Sequence, residues 1–472
     1  MIAKSQTTRL FCASAFLLGA RFWRPILQYL EGENHGVSPE TGVDMDVVAQ
    51  VCEYARRREK RFENYLSLSA IAALLVALAN PVIAVALLSL AATVIHFQKT
   101  YQERSNLAFR FHKNEFPPFD PGKEFRAELK SVARSALPAE EQNLIVYTGF
   151  DPFVGAGLDM GGWSFTVDIS KPPEHQGGAA APLPFKVEEL YALITVKLLG
   201  LNLDGLVVKD IFFVNGREIR DDREILPDIY GRPIQRLPSH RVSQYVDGSD
   251  NRVRYYKWIR VHNWEQELVM SYFLRLSIQG KNMFVENKRF LLTPIQEKYR
   301  SVDKLPRLNA FGTLRIFLAA ILIGPVKAVL TPFIMYARCD EWLTKLWKEW
   351  RRRRTIKENS QFDYGAGQGY RQALSSGQYT HYFQSADSAF YTQVLEKSVL
   401  DNIIGFLEKH HIDTGDLRER QTVIMNSGIV VQGGNVNAES LAVGSGAVAM
   451  KSHSLSARSK PAPGLRFGGA KP

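Results

Sequence analysis

The run from Tyr65 to Phe97 reads YLSLSAIAALLVALANPVIAVALLSLAATVIHF and contains no Asp, Glu, Lys or Arg. A helix rises about 1.5 Å per residue and the hydrocarbon core of a bilayer is about 30 Å thick, so this run is long for one upright span and short for two. Asn80 and Pro81 stand at its middle. Proline lacks an amide donor and disfavours helix at the residue before it, so the spacing predicts a membrane hairpin that turns at Asn80 and Pro81, with spans near 66–80 and 82–97. The flanks RRREKRFEN and QKTYQER are both basic, which places both ends on one face of the membrane.

A second apolar region, AFGTLRIFLAAILIGPVKAVLTPFIMYA, covers Ala310 to Ala337 and is interrupted by Arg315, Pro325, Lys327 and Pro332. Its flanks, KYRSVDKLPR and RCDEWLTKLWKEWRRRR, are again basic. A single crossing would carry four arginines outward, so the pattern predicts a second hairpin or re-entrant element broken at Gly324 and Pro325. Lys327 then lines a pathway in the bundle interior or snorkels to the interface. With both regions returning to the side they left, the termini and the central domain face the cytoplasm.

The chain has 472 residues, with 59 Lys+Arg against 48 Asp+Glu and a net charge of +11. Much of the excess is concentrated in Arg56, Arg57 and Arg58 of RRREKR and in Arg351, Arg352, Arg353 and Arg354. Both runs adjoin apolar segments, which favours the headgroups of membrane phospholipids over nucleic acid as the partner. The three cysteines, Cys12, Cys52 and Cys339, show no CxxC spacing and provide neither a disulfide framework nor a zinc site. The N-terminal run from Leu10 to Ala20 has the look of a signal sequence, but it contains Cys12 and Ser14 and continues into the amphipathic RFWRPILQYL. A retained helix is the expectation.

Residues 99–306 read as a mixed α/β domain. NLIVYTG is a short strand, and WSFTVDI places Trp163, Phe165, Val167 and Ile169 on one face by alternation. KVEELYALITVKLLG changes period, with Val187, Leu190, Tyr191, Ile194 and Leu198 forming a helical stripe. Asn215-Gly216 predicts a tight hairpin, and a second hairpin is expected around Gln279 to Asn282.

The glycine-rich loop from Thr148 to Trp163 nominates Asp151, Gly155, Gly157 and Asp159 as a candidate ligand loop. It starts like a dinucleotide fingerprint, but the last glycine position is Met160 and a strand follows, so no helix N-terminus awaits a pyrophosphate. Asp221, Asp222 and Glu224 lie in REIRDDRE, a solvated turn, and the histidines share no metal-binding spacing. No GxSxG, P-loop or HExxH motif is present, so no catalytic residue, cofactor or metal is nominated.

After a basic juxtamembrane helix and linker at 339–384, residues 385–425 read as an amphipathic helix, with Phe390, Val394, Leu395, Val399, Ile403, Phe406 and Leu407 at spacings of three and four. The segment 426–450, NSGIVVQGGNVNAESLAVGSGAVAM, then repeats every six residues: Gly428 to Val430, Gly434 to Val436, Ser440 to Ala442 and Gly446 to Val448. Such a period is that of a β-arch or solenoid rung, and one rung cannot bury its own faces. It is expected to stack between copies through Val430, Gln432, Asn435, Val436, Ala442 and Val448, making a homo-oligomer. Residues 451–472 have the composition of a disordered tail.

The fold class is therefore α+β: a helical region at 1–64, helical membrane hairpins at 65–98 and 307–338 flanking the mixed domain, and an amphipathic helix and short β segment at the end. The stretches TTRLFCASAFL, GVDMDVVAQVCEYARRR, YTGFDPFVGAGLDMGGWSF, FVNGREIRDD and DTGDLRERQTVIMNSGIVVQGGNVNAESLAVGSGA together resemble a family of uncharacterised bacterial multi-pass membrane proteins of the actinobacterial type. That resemblance implies the bacterial inner membrane and no activity. The leading expectation is a membrane-anchored binding and assembly scaffold or effector; the alternatives are an oligomeric channel-like protein and a membrane-bound enzyme.

Overall fold

The computed structural model describes residues 5–32, 34–111, 137–173, 181–246, 252–306 and 308–426. In chain order the principal elements are α1 (Gln6–Leu17), α2 (Ala20–Glu31), α3 (Met45–Ala77), α4 (Pro81–Arg110), β1 (Leu144–Tyr147), β2 (Leu158–Asp168), α5 (Val187–Leu199), β3 (Leu206–Asn215), α6 (Ser239–Val246), β4 (Val253–Asn263), β5 (Leu268–Gln279), β6 (Asn282–Leu292), α7 (Ala310–Glu358), α8 (Tyr382–Lys409) and α9 (Gly415–Asn426). They divide into a helical unit, built from α1–α4 and α7, and a sheet unit, which takes the described residues within 34–43, 137–296 and 363–426. The class is α+β. The predicted β segment at 426–450, apart from Asn426, lies outside the described residues.

Short polar side chains start the helices of the first unit. Ser5 accepts from the Thr8 amide at 3.2 Å, Asp44 from Val47 at 3.1 Å and Asn309 from Gly312 at 2.8 Å. Asn80 accepts from Val82 and Ile83 at 3.0 and 3.2 Å, with Pro81 at the first helical position where its missing donor costs nothing. The chain thus turns between α3 and α4, and the two helices run back antiparallel: Glu59 meets Lys99 at 3.0 Å, and Leu66 packs with Ala92 nearer the turn.

Among the described residues two helices are long and apolar enough to cross a membrane, over Pro81–Leu107 and Ala310–Phe333, and most of each window faces outward. Leu78 is 87% exposed, Val82 76% and Leu322 75%. A continuous apolar exterior of this kind is unfavourable against water and is matched to lipid. α1, by contrast, is buried along Thr7 to Phe16, and Arg9 holds Asp303 with two bonds of 2.6 and 2.9 Å.

The expected break at Gly324 and Pro325 does not occur. Helix α7 runs through both Pro325 and Pro332. A proline removes one intrahelical bond and bends a helix without having to end it. Gly324 has another role: a Cβ there would overlap Thr93 of α4, so the glycine lets two helices approach closely.

The sheet has the order β1-β3-β4-β5-β6-β2, with β1 parallel to β3 and all other pairs antiparallel. Gly280, at φ +61°, makes the expected turn between β5 and β6. Asn215-Gly216 makes no hairpin. β3 ends there and pairs with β4, reached only after residues 216–252. Arg217 to Asp222 has no alternating apolar pattern to continue a strand, and Gly216 is instead pressed against Gly365.

One sheet face carries an aromatic cluster in which the Phe153 ring lies 4.8 Å from Phe273, 4.9 Å from Phe290 and 5.2 Å from Phe213. α5 buries its whole predicted stripe against the sheet unit, and Leu276 N donates to Tyr191 Oη at 2.6 Å. α8 buries Leu395, Val399, Ile403, Phe406 and Leu407, whereas Phe390 of the predicted stripe stays exposed. Residues 363–380, expected as linker, belong to the folded unit: Ala366 N donates to Val146 O at 2.7 Å and Tyr364 is fully buried. Glu40 accepts from the amides of Tyr370 and Arg371, each at 2.7 Å, and burial pushes its carboxyl above the usual range.

Candidate functional site

The glycine-rich loop is occupied by its own chain. Asp151 accepts from Phe153 N at 3.0 Å and Asp159 from Gly161 N at 2.7 Å, both local turns. Gly155, at φ +80°, lies against the Pro39 carbonyl, and Gly157, at φ +111°, against Leu291. Gln372 bridges the two, accepting from Gly155 N at 2.9 Å and donating to Gly157 O at 3.2 Å. The loop delivers Phe153 to the aromatic core, and its glycines serve that close packing.

The basic runs are largely paired. Arg56 holds Glu31 and Glu53 at 2.6 and 2.5 Å, and Arg57 holds Glu53 at 2.7 Å. Arg58 is buried and holds Glu103 at 2.7 Å, its guanidinium also lying over the Phe16 and Phe62 rings. Arg352 and Arg353 both reach Glu349, and Arg354 reaches Glu358 at 2.7 Å. Arg351 lies over the Trp347 ring at 4.6 Å. Among the described residues no group of three or more His, Cys, Asp or Glu could hold a metal ion.

Lys327 leads to a constellation with room for a ligand. Its Nζ lies 2.8 Å from His96 Nδ1, and an ammonium donating there leaves Nε2 as the ring nitrogen that carries a proton. Both line a cleft of about 390 Å³ within the helical unit, bounded by the α1–α2 corner and by residues of α3, α4 and α7. The corner is made by Gly19 at φ +58°, a conformation that a side chain would strain.

The cavity has four cations on its wall, Arg21, Arg58, Lys99 and Lys327, and two carboxylates, Glu59 and Glu103. Arg58 takes Glu103 and Lys99 takes Glu59. Arg21 and Lys327 hold no carboxylate among the described residues. Helix α2 starts at the same wall with no side-chain cap and no acidic residue in its first turn, so its terminal amides add positive potential.

Of these residues the sequence alone singles out Lys327 and Arg58. His96, Lys99 and Glu103 recur at spacings of three and four along α4 and so share a face. That spacing is the signal by which they could have been found. What it could not reveal is that Lys327, 231 residues further on, comes to the same place.

A family model described as AbeC-like domain matches residues 162–437, more than half of the chain. No curated protein and no solved structure matches it. On that match, the chain belongs to the AbeC-like domain family.

Proposed function

We propose that the protein is an integral protein of the bacterial inner membrane, with its sheet unit on the cytoplasmic face, acting as a membrane-anchored binding and assembly scaffold. The observation that carries this reading is the way the sheet unit is assembled from three stretches of chain. Gly36 N donates to Tyr364 O at 2.7 Å, and Ala366 N to Val146 O at 2.7 Å. A bilayer cannot pass between segments that share backbone hydrogen bonds, so the chain crosses an even number of times between residues 44 and 136, and again between 297 and 362.

In this reading the antiparallel α3–α4 pair supplies two crossings, α4 along Pro81–Leu107 and α3 along its shorter charge-free end from Tyr65 to Ala77. Because α7 is continuous, its apolar part, Ala310–Phe333, in this reading stays within one leaflet, since a lone crossing would part Tyr364 and Ala366 from their partners. The basic flanks of both apolar regions support the same sidedness. Assembly in this reading falls to residues 426–450, whose six-residue period supports stacking between copies.

A fluorescent protein fused after Pro472 is expected to fluoresce in cells whose membranes retain the chain through an alkaline wash. Release by that wash would remove the anchor, and an active periplasmic reporter at the same position would reverse the orientation. Deleting 426–450 is expected to lower the oligomer size in detergent while the remaining chain stays folded; unchanged size would remove the assembly role.

A further inference from the structure

The cavity between the α1–α2 corner and the three long helices is rich in donors. Lys327 keeps two ammonium hydrogens beyond its bond to His96, His96 presents Nε2–H, Thr100 brings a hydroxyl, and Arg21 brings a guanidinium. The acceptors on the wall, Glu59 and Glu103, are engaged by Lys99 and Arg58. Such a wall is complementary to an anion with several acceptor oxygens, and a tetrahedral phosphate ester offers more than a carboxylate does.

The position of the cavity narrows the choice. On α4 the last strongly exposed aliphatic residue before His96 is Val94, and the polar stretch from Gln98 to Glu103 follows. The cavity therefore lies where the apolar exterior of α4 gives way to charge. Leu17 and Leu18 of the corner give it an apolar lip, and Leu18 is 37% exposed. Its volume is near the lower end of ligand sites, enough for a headgroup and not for a whole lipid.

We infer that this cavity is a binding site for a phosphate monoester or diester group, with Lys327 and Arg21 as its free cations and His96 as a positioning donor. The phosphate comes from an anionic phospholipid headgroup, with acyl chains along the apolar exterior, or from a small soluble phosphate ester. The lipid source rests on the membrane reading above; the anion site itself does not. Arg58 and Lys99, already paired, hold the wall together and set its potential.

The test uses the full-length chain in a nonionic detergent, with native mass spectrometry to count bound dioleoyl phosphatidylglycerol against dioleoyl phosphatidylcholine. One phosphatidylglycerol per chain is expected, with Lys327→Gln and Arg21→Gln each weakening retention by about tenfold. Lys327→Arg is expected to keep it, and so is Arg57→Gln, which changes the same net charge outside the cavity. If Lys327→Gln unfolds, the exposed Arg21 carries the comparison alone, since nothing structural depends on it.

In a second arm, glycerol 3-phosphate is titrated against the same samples. Binding of glycerol phosphate without retention of phosphatidylglycerol supports the site with a soluble source. Equal retention of phosphatidylcholine, or binding of both probes by a Lys327→Gln/Arg21→Gln double variant equal to that of the parent chain, overturns the site. Retention of that variant in alkaline-washed membranes would then leave the anchor standing.

Discussion

Gly324 of α7 sits on Thr93 of α4 with no space for a Cβ between them. Nearby, Ala92 and Ala328 are buried at 1% and 5% exposure and share a small cluster with Leu66. Small residues at a helix crossing allow the backbones to meet, and in a lipid environment that packing replaces the hydrophobic drive available in water. Gly324→Leu is expected to separate α7 from α4, destabilising the helical unit by about 2–4 kcal/mol. Thermal unfolding in detergent measures it; a melting temperature equal to that of the parent chain would show that the helices do not meet there.

On the buried face of α8, Glu396 is 5% exposed and accepts from Arg289 at 2.9 Å and Trp163 at 3.2 Å. Burial raises its carboxyl pKa, and Arg289 opposes that rise. Removing one partner of such a pair strands the other, so Glu396→Ala is expected to cost about 3 kcal/mol, and Glu396→Gln less because an acceptor remains. Equal stability of Glu396→Ala and the parent in denaturant unfolding would mean that α8 is not held through this pair.

His262 is pushed down to about 4 from the ordinary 6.5 by burial first and then by Arg260, with Glu140 acting in the opposite sense. Between those pH values the unfolded chain binds the proton more readily than the folded chain does. This contribution is therefore intact above pH 6.5, falls as the solution is acidified toward pH 4, and is constant below. About 2 kcal/mol is expected across the window, after allowance for partial exposure. His262→Leu should flatten that part of the stability profile; an unchanged slope would place the acid sensitivity elsewhere.

In the glycine-rich loop, Gly157→Ala forces a side chain into a positive-φ conformation and against the Leu291 backbone, a loss of about 2–3 kcal/mol. Asp159→Asn keeps the side-chain oxygen that accepts from Gly161 and should change stability by less than about 0.5 kcal/mol. Folding assays on the two variants separate a packing loop from one tuned for charge. The opposite ranking would contradict the packing role.

The elements that could be read directly from the chain are those whose pattern is local. The α5 stripe from Val187 to Leu198 is buried residue for residue, and the alternation of β2 leaves Ser164 and Thr166 exposed while Phe165 is buried. Gly280 turns the β5–β6 hairpin as its neighbours predict. Where a residue answers to a distant partner, its neighbours mislead. Gly324 is set by Thr93 and Gly216 by Gly365, so the first ends no helix and the second, where β3 stops, turns no hairpin. Residues 363–380 have a linker's composition because backbone bonds to β1, to Glu40 and to the Thr293 region hold them. The cavity draws on several helices far apart in the chain, and only the face of α4 from His96 to Glu103 carries a periodic trace of it.

The central claim is that all three stretches of the sheet unit lie on one side of the membrane. In a Cys339→Ala background, with Cys12 and Cys52 buried, single cysteines at the exposed positions Ser170 and Lys397 report two of those stretches to a membrane-impermeant maleimide. Both are predicted to label in inverted vesicles and to stay unlabelled in intact cells. Labelling of Ser170→Cys from one face and Lys397→Cys from the other would contradict the account.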